Sequence, residues 1–393
     1  HERINQQGVL QELAHCPVYS VHQYDYLFNA LLKMTRFQID RLVVRNDEGY
    51  IGFLHQKDLM SLFANQSGLV LLKVDKAEKI DDLIKVGPQL DQLIQNLNRK
   101  GIKTHYIAKL VNELHRKMIY KLVDFLLPEE LRGKVCLFVM GSEGRSEQVI
   151  RTDQDNALVY ADDLTAGELI QLDEFSLKFI EVMQEMGFPP CPGNIMLSNP
   201  EWRLSKADLV KKVENWFAEP SEENFMYAAI LFDAEAIYGP VEWLTEVKIT
   251  LEREKDKYSN FLRHFAVSVL RFKTPVGFFG GLVADSESES GDELLDIKKG
   301  GIFTIVHGIR CYALEAGISK TNTHWRIKAL MDKGVLEKEF GIELGETLNF
   351  LNTLRLESML QQIAEGVEVP DNKIRLSQLS HMQQDLLKQS FSV

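Results

Sequence analysis

The chain has 393 residues, 45% of them hydrophobic and 26% charged, with a formal net charge of −12 at pH 7. That length accommodates two to four structural units around a large core, no apolar run reaches the roughly 18 residues needed to span a membrane, and the opening HERINQQGVL lacks a signal-peptide core. The acidic balance, without a Lys/Arg cluster that could follow a phosphate backbone, weighs against a nucleic-acid substrate. Cys16, Cys136, Cys191 and Cys311 lie far apart with no metal-type spacing, as expected of reduced, buried thiols in a cytoplasmic protein.

Residues from about Pro17 to Phe63 read as one compact unit. A short strand at Pro17–Val21 is followed by an amphipathic helix at Tyr26–Thr35. Next come a strand at Arg41–Val44, a turn at Asn46-Asp47-Glu48-Gly49, a strand at Tyr50–Leu54 and a helix from about Lys57. This order, with IDRLVV-RNDEG-YIGFLHQKDL, resembles one CBS module, a regulatory unit that usually works in pairs and often binds adenine nucleotides. The resemblance puts Asp58 where such modules hold a ribose; capping of the following helix is the other reading. His55 stands where the family usually has Ser or Thr against phosphate. One module where two are usual implies that its partner precedes His1 in a longer protein or comes from another copy, and a homodimer is expected.

From Ala77 to Leu127 the pattern is helical almost throughout, with apolar residues at Ile80, Leu83, Ile84, Leu90, Leu93, Ile94 and Leu97 and again from Ile107 to Leu126. Gly87-Pro88 is expected to interrupt the first part, and Gly101 separates it from the second.

The richest stretch is Lys134–Asp162, KVCLFVMGSEGRSEQVIRTDQDNALVYAD. An apolar run at Val135–Met140 stops at Gly141-Ser142, and Thr152-Asp153-Gln154-Asp155 opens a second apolar run at Ala157–Tyr160. The reading is strand, tight turn with a short helix start, strand. Gly141 and Gly144 let the backbone approach a bound group, and a helix start after Ser142 aims free N–H groups at an anion. Asp153 and Asp155, one residue apart on a strand, leave the same face and can share one or two hard cations. Arg145 either neutralises phosphate or pairs with Glu147 and stiffens the turn.

The spacing G-S-x-G-R-x-E, four residues, then Thr-Asp-x-Asp resembles the signature of the DNA polymerase beta-type nucleotidyltransferase superfamily, close to the bacterial uridylyltransferase of nitrogen signalling and the glutamine synthetase adenylyltransferase. The likeness implies that Asp153 and Asp155 bind Mg²⁺ (or Mn²⁺) and act in catalysis, while Gly141, Ser142, Gly144 and Arg145 seat the triphosphate. A third carboxylate often sits on a later strand of such a sheet. The expected strand at about Asn194–Leu197 carries none, and the next candidates, Asp233 and Glu235, lie in a segment that reads as helix.

Ala166–Met186 reads as an amphipathic helix ended by GFPPCP, and Trp202, Trp216, Trp243 and Trp325 as core anchors rather than base-stacking platforms. Tyr258–Lys273, Phe303–Leu314, Thr323–Lys333, Leu344–Glu365 and Ser377–Gln389 are helical by period and suggest a C-terminal bundle. DSESESGDE, Asp285–Glu293, reads as a mobile loop; Lys298 and Lys299, before two glycines, suit either closure on phosphates or a solvated turn. The stretches Asn199–Leu204, Phe278–Gly281, Asp296–Gly301 and Leu354–Leu356 resemble a family of bacterial CBS-linked nucleotidyltransferases, and the likeness covers nearly the whole chain from Pro17.

The expected fold class is therefore α+β: a CBS-type α/β module (1–70), a helical connector (71–130), a polymerase beta-type nucleotidyltransferase core with a mixed sheet (131–245) and a C-terminal helical substrate-binding domain (246–393). The expected function is signal-regulated transfer of a nucleoside monophosphate from NTP to a hydroxyl of a protein or small-molecule acceptor, with no nucleic-acid or membrane partner. The alternative is a catalytically silent nucleotide-sensing protein.

Overall fold

The computed structural model describes residues 18–25, 27–37, 39–56, 58–59, 67–258, 260–267, 269, 274–277, 281–288 and 291–393. The chain divides into two compact units, His1–Lys76 and Ala77–Val393. Among the described residues no helix is long and apolar enough to cross a membrane.

In the first unit, strands β1 (Ser20–His22), β2 (Arg41–Asn46) and β3 (Gly49–His55) form a sheet in that order, with β1 parallel and β3 antiparallel to β2. The Asn46 side chain accepts from the N–H groups of Glu48 and Gly49 and closes the β2–β3 turn. Helix α1 (Leu27–Phe37) buries Ala30, Leu31 and Met34, and α2 spans Ser67–Asp75. Tyr50 and Phe53 on β3 are 75% and 70% exposed.

The second unit begins with α3 (Ile80–Arg99) and α4 (Thr104–Leu126). The expected break at Gly87-Pro88 does not occur. Pro88 costs a helical hydrogen bond, but the buried stripe Leu83, Val86, Leu90, Leu93, Ile94 and Leu97 holds the helix across it. Four strands then build a mixed sheet in the order β6-β5-β4-β7: β4 is Val135–Val139, β5 Asn156–Tyr160, β6 Arg203–Ser205 and β7 Glu235–Tyr238. β4 is antiparallel to both β5 and β7, and β6 is parallel to β5. All five residues of β4 are buried, because helices cover both faces of this central strand.

Between β4 and β5 lies a single helical turn, α5 (Gly141–Gly144). Helix α6 (Ala166–Glu185) starts with a Thr165/Glu168 capping box and packs with α4. Helices α7 (Lys206–Ala218), α8 (Glu222–Phe232) and α9 (Val241–Lys257) share a core with Phe138, Val159, Trp202 and Trp216. Two expectations fail here. Residues 194–197 form no strand; they run beside β5 through the Asn156 N–H to Ile195 and the Leu197 N–H to the Asn156 amide oxygen. The Asp233–Glu235 segment is not helix: α8 ends at Phe232 and Glu235 opens β7, since the sheet edge supplies backbone partners that periodicity cannot show.

The C-terminal part holds α10 (Phe261–Val267), a small antiparallel sheet of β8 (Ser286–Glu287), β9 (Glu293–Asp296) and β10 (Lys373–Arg375), a π-turn at Lys298–Ile302, and helices α11 (Phe303–Glu315), α12 (Thr323–Asp332), α13 (Lys338–Ala364) and α14 (His381–Ser390). Ends of the acidic stretch read as a mobile loop pair as β8 and β9, with Asp285 N–H bonded to Leu294 O. Residues 278–280, and residues 259, 268 and 270–273 of the helix expected from Tyr258 to Lys273, fall outside the described residues.

Candidate functional site

The turn after β4 is shaped by what it touches. Gly141 has φ +57°, and a Cβ there would stand 2.3 Å from Asp155 Oδ2; no other residue permits both that backbone and that approach. A Cβ on Gly144 would meet the Asp233 carbonyl at 2.2 Å, so Gly144 serves close packing of α5 on the end of α8. The first N–H groups of a helical turn have no acceptor within it, and here they belong to Gly141, Ser142 and Glu143.

The Met140 N–H to Asp155 carbonyl bond, 2.9 Å, extends the β4–β5 pairing and sets Asp155 against the turn. Gln154 points the other way, buried, with its N–H on Pro189 O and its side-chain amide on Phe188 O. Asp153 and Asp155 therefore share a face, and ligand atoms of Asp153, Asp155 and Cys191 all lie within 4.8 Å of one another. Burial first, and then the Asp153 charge, pushes the Asp155 carboxyl up to about 6. Burial and Asp155 push the Cys191 thiol up to about 12, and the thiol is hydrogen-bonded to Asp155. Two hard carboxylates and a sulfur facing a common point are a donor set that fits a divalent cation.

The positive side of the site comes from the C-terminal elements. Desolvation lowers the pKa of Lys298, on the π-turn, while Asp153 and Asp155 pull it up, and the residue as a whole is exposed. Burial holds Arg355 of α13 down to about 10 against the opposing pull of Asp153, and its Nε donates to Asn372. Lys299 instead points to solvent and pairs with Asp296 at 3.4 Å.

Of the two readings of Arg145, the observed geometry is pairing. Its Nε donates to Glu147 at 2.7 Å and its Nη1 to Asp233 at 2.8 Å. Asp233 is fully buried and also takes Arg310 of α11 and Arg326 of α12. Burial alone would raise its pKa, but Arg310, Arg326 and Arg145 together hold it far below the usual carboxylate range. Asp233 is thus committed to three arginines, and the third-carboxylate candidate becomes a clamp between the sheet and the C-terminal helices. Asn322, which caps α12, adds a bond to Arg145 O, and Glu147 accepts from the Thr323 N–H.

Glu143, inside the turn, is buried at 4% exposure and lies 3.7 Å from buried His115 Nδ1; neither Glu143 Oε1 nor the His115 ring nitrogens have a hydrogen-bond partner among the described residues. Burial, reinforced by Asp155, pushes Glu143 up to about 7, and burial takes His115 down to about 3. Because the folded pKa of Glu143 is raised, its ionisation opposes folding: stability in metal-free protein falls as pH rises from about 4.5 through 7, by on the order of 3 kcal/mol. Glu143→Gln is expected to be more stable than the parent at pH 8 and equal to it at pH 4. Denaturant unfolding at both values checks this, and an unchanged difference between the two would refute it.

A cavity of about 270 Å³ adjoins this network, lined by Thr104, His105 and Lys109 of α4, Ser146, Glu147 and Val149, Asn322, His324, Trp325 and Lys328, and Asn349 and Asn352 of α13. Trp325 is 51% exposed there, unlike buried Trp202 and Trp216. Burial takes His105 down to about 4 and lowers His324, so both rings are neutral at pH 7. In the first unit, Asp58 is exposed beyond β3; the helix expected from Lys57 lies mostly outside the described residues.

Sequence reasoning missed Cys191, Glu143 and Arg355. Cys191 hid in a helix-ending Pro/Gly run, 36 positions from Asp155, and Glu143 in a variable slot of the turn motif. Arg355 gave a weak signal, a charge between two leucines on a long helix.

A mixed sheet that presents a glycine-serine turn beside a paired-carboxylate edge defines the nucleotidyltransferase class. Residues 88–223 match the family described as "Putative nucleotidyltransferase DUF294", residues 259–393 the "Putative nucleotidyltransferase substrate binding domain", and residues 10–65 the CBS domain. The chain belongs to this family of CBS-linked nucleotidyltransferases, whose domains support nucleotidyl transfer as the general activity. No curated protein matches it.

Proposed function

We propose that this protein moves a nucleoside monophosphate from a nucleoside triphosphate to a hydroxyl of a protein or small-molecule acceptor, releasing pyrophosphate. The observation that carries this reading is the convergence of Asp153 and Asp155 beside Gly141, faced by Lys298 and Arg355. Mg²⁺ or Mn²⁺ held by the two aspartates would supply charge for the phosphate oxygens. Ser142 and the N–H groups of the turn hold the phosphate tail. Lys298 and Arg355 neutralise it, and Arg355 is fixed for this by Asn372. One of the two aspartates takes the proton from the acceptor hydroxyl. Arg145 positions the turn through Glu147 and Asp233 rather than touching substrate.

The cavity beside Glu147 suits the base, with Trp325 as a stacking face and Asn349 and Asn352 as amide edges. Stacking on an aromatic is worth about 1–3 kcal/mol per base, so Trp325→Ala is expected to raise KM for the triphosphate roughly 5- to 150-fold with kcat little changed. Steady-state kinetics decide it: an unchanged KM removes the base from this cavity. In the first unit, an adenine nucleotide at Asp58 would provide the regulatory signal, and exposed Tyr50 and Phe53 offer an apolar surface for pairing in a homodimer.

Incubating the protein with each α-labelled triphosphate and a lysate of its own source tests the whole reading. Label is expected on one protein or metabolite. If no triphosphate leaves label on anything, while binding persists, a silent nucleotide sensor is the reading that survives.

A further inference from the structure

The third position of the cation site holds sulfur where nucleotidyl transfer usually calls on a hard oxygen. We propose that the thiol of Cys191 joins Asp153 and Asp155 as a third ligand, so that the site favours a thiophilic divalent ion of the Co²⁺ or Zn²⁺ kind over Mg²⁺. The inference rests on the metal reading of the preceding section and adds a selectivity that two carboxylates alone would not give.

The geometry carries it. A tetrahedral ion with metal–sulfur and metal–oxygen distances of about 2.3 and 2.0–2.2 Å sets its ligand atoms roughly 3.4–3.6 Å apart. The three atoms already lie within 4.8 Å of one another, so side-chain movements on the order of 1 Å complete the set.

Cys191 is also held in place. Gln154, between the two aspartates, bridges to Pro190 and bonds Pro189 O and Phe188 O, which pins the Cys191 loop to the aspartate segment. On its other side, the Cys191 N–H lies 3.4 Å from Met196 Sδ and the Asn194 N–H bonds Cys191 O at 2.9 Å. The described cysteines are all free, so no disulfide competes for this sulfur. Ligation replaces the thiol proton by the metal bond and releases that proton to solvent, and nothing is oxidised or reduced. Soft thiolate donors select Co²⁺ and Zn²⁺ over Mg²⁺, which binds oxygen almost exclusively.

Titration of the full chain with Co²⁺ under a non-thiol reductant tests this by absorption, with no need for activity. Visible d–d bands together with a near-ultraviolet sulfur-to-cobalt charge-transfer band are expected. Cys191→Ser should keep the visible bands, lose the charge-transfer band and weaken Zn²⁺ binding relative to Mg²⁺ by about tenfold or more. Cys191→Asp, which restores an oxygen ligand, should bind Mg²⁺ more tightly than the parent and keeps the test open if the serine variant folds poorly. Visible bands without the charge-transfer band in the parent, or a band that persists in Cys191→Ser, would overturn the role of Cys191 while leaving the aspartate pair standing. Failure of Co²⁺ to bind at all would overturn the aspartate site as well.

Discussion

Replacing both Asp153 and Asp155 by Asn is expected to abolish metal-dependent nucleotide incorporation while leaving the fold intact. The two carboxylates converge with Cys191 at one point, and Asn keeps their shape while removing the charge that would hold a cation. Deleting a single preorganised electrostatic stabiliser costs about 10²–10³ in rate, so loss of both ligand charges should exceed three orders of magnitude. Asp155 is half-buried, and its carboxyl is pushed up to about 6 by that burial and by Asp153. The metal-free double variant should therefore be no less stable than the parent at neutral pH, because it no longer confines a charge that the site resists. Release of labelled pyrophosphate measures the first effect and denaturant unfolding the second. Incorporation at the parental rate in a folded double variant would remove these residues from the chemistry.

The second large effect is expected at Asp233. Arg145, Arg310 and Arg326 converge on this fully buried carboxylate from the turn and from two C-terminal helices. Asp233→Asn leaves Arg310 and Arg326 without the buried charge they face, whereas Arg145 retains Glu147. Breaking a buried ionic network from one side costs about 3–5 kcal/mol, and a loss of that size in unfolding free energy is the expected result. The sign with pH is fixed by the depressed folded pKa: the contribution is present above the unfolded carboxylate value near 4 and lost only as pH falls below it. The gap between parent and variant should accordingly be constant from pH 5 to 8 and narrow in acid. A loss below about 1 kcal/mol, in the range of an ordinary surface substitution, would show that the three arginines are served by other partners.

These two sites differ in how much of them the sequence displayed. The pairing of Asp153 and Asp155 was legible because it depends on local geometry: extended backbone alternates its side chains, and this holds although both residues precede β5, which opens at Asn156. The glycine-serine turn was legible for the same reason, and Gly141 proves to make room for Asp155. The roles of Asp233, Cys191 and Arg355 depend on tertiary approach. Asp233 meets arginines 77 and 93 positions away, and Arg355 faces Asp153 from a helix two hundred residues on. No period or spacing encodes such meetings. Helices with a continuous apolar stripe were legible, although the break expected at Pro88 does not occur, whereas the short strands β6 to β10 were not, because each is fixed by the neighbour it pairs with rather than by its own few residues.

The most direct measurement is a calorimetric titration of nucleoside triphosphate into the full chain, with and without Mg²⁺ or Mn²⁺, repeated on the Asp153→Asn/Asp155→Asn variant. Saturable binding that requires the cation and vanishes in the variant is the predicted result. Equal binding without the cation, or by the variant with it, would contradict the claim that the aspartate pair docks the triphosphate through a bound cation.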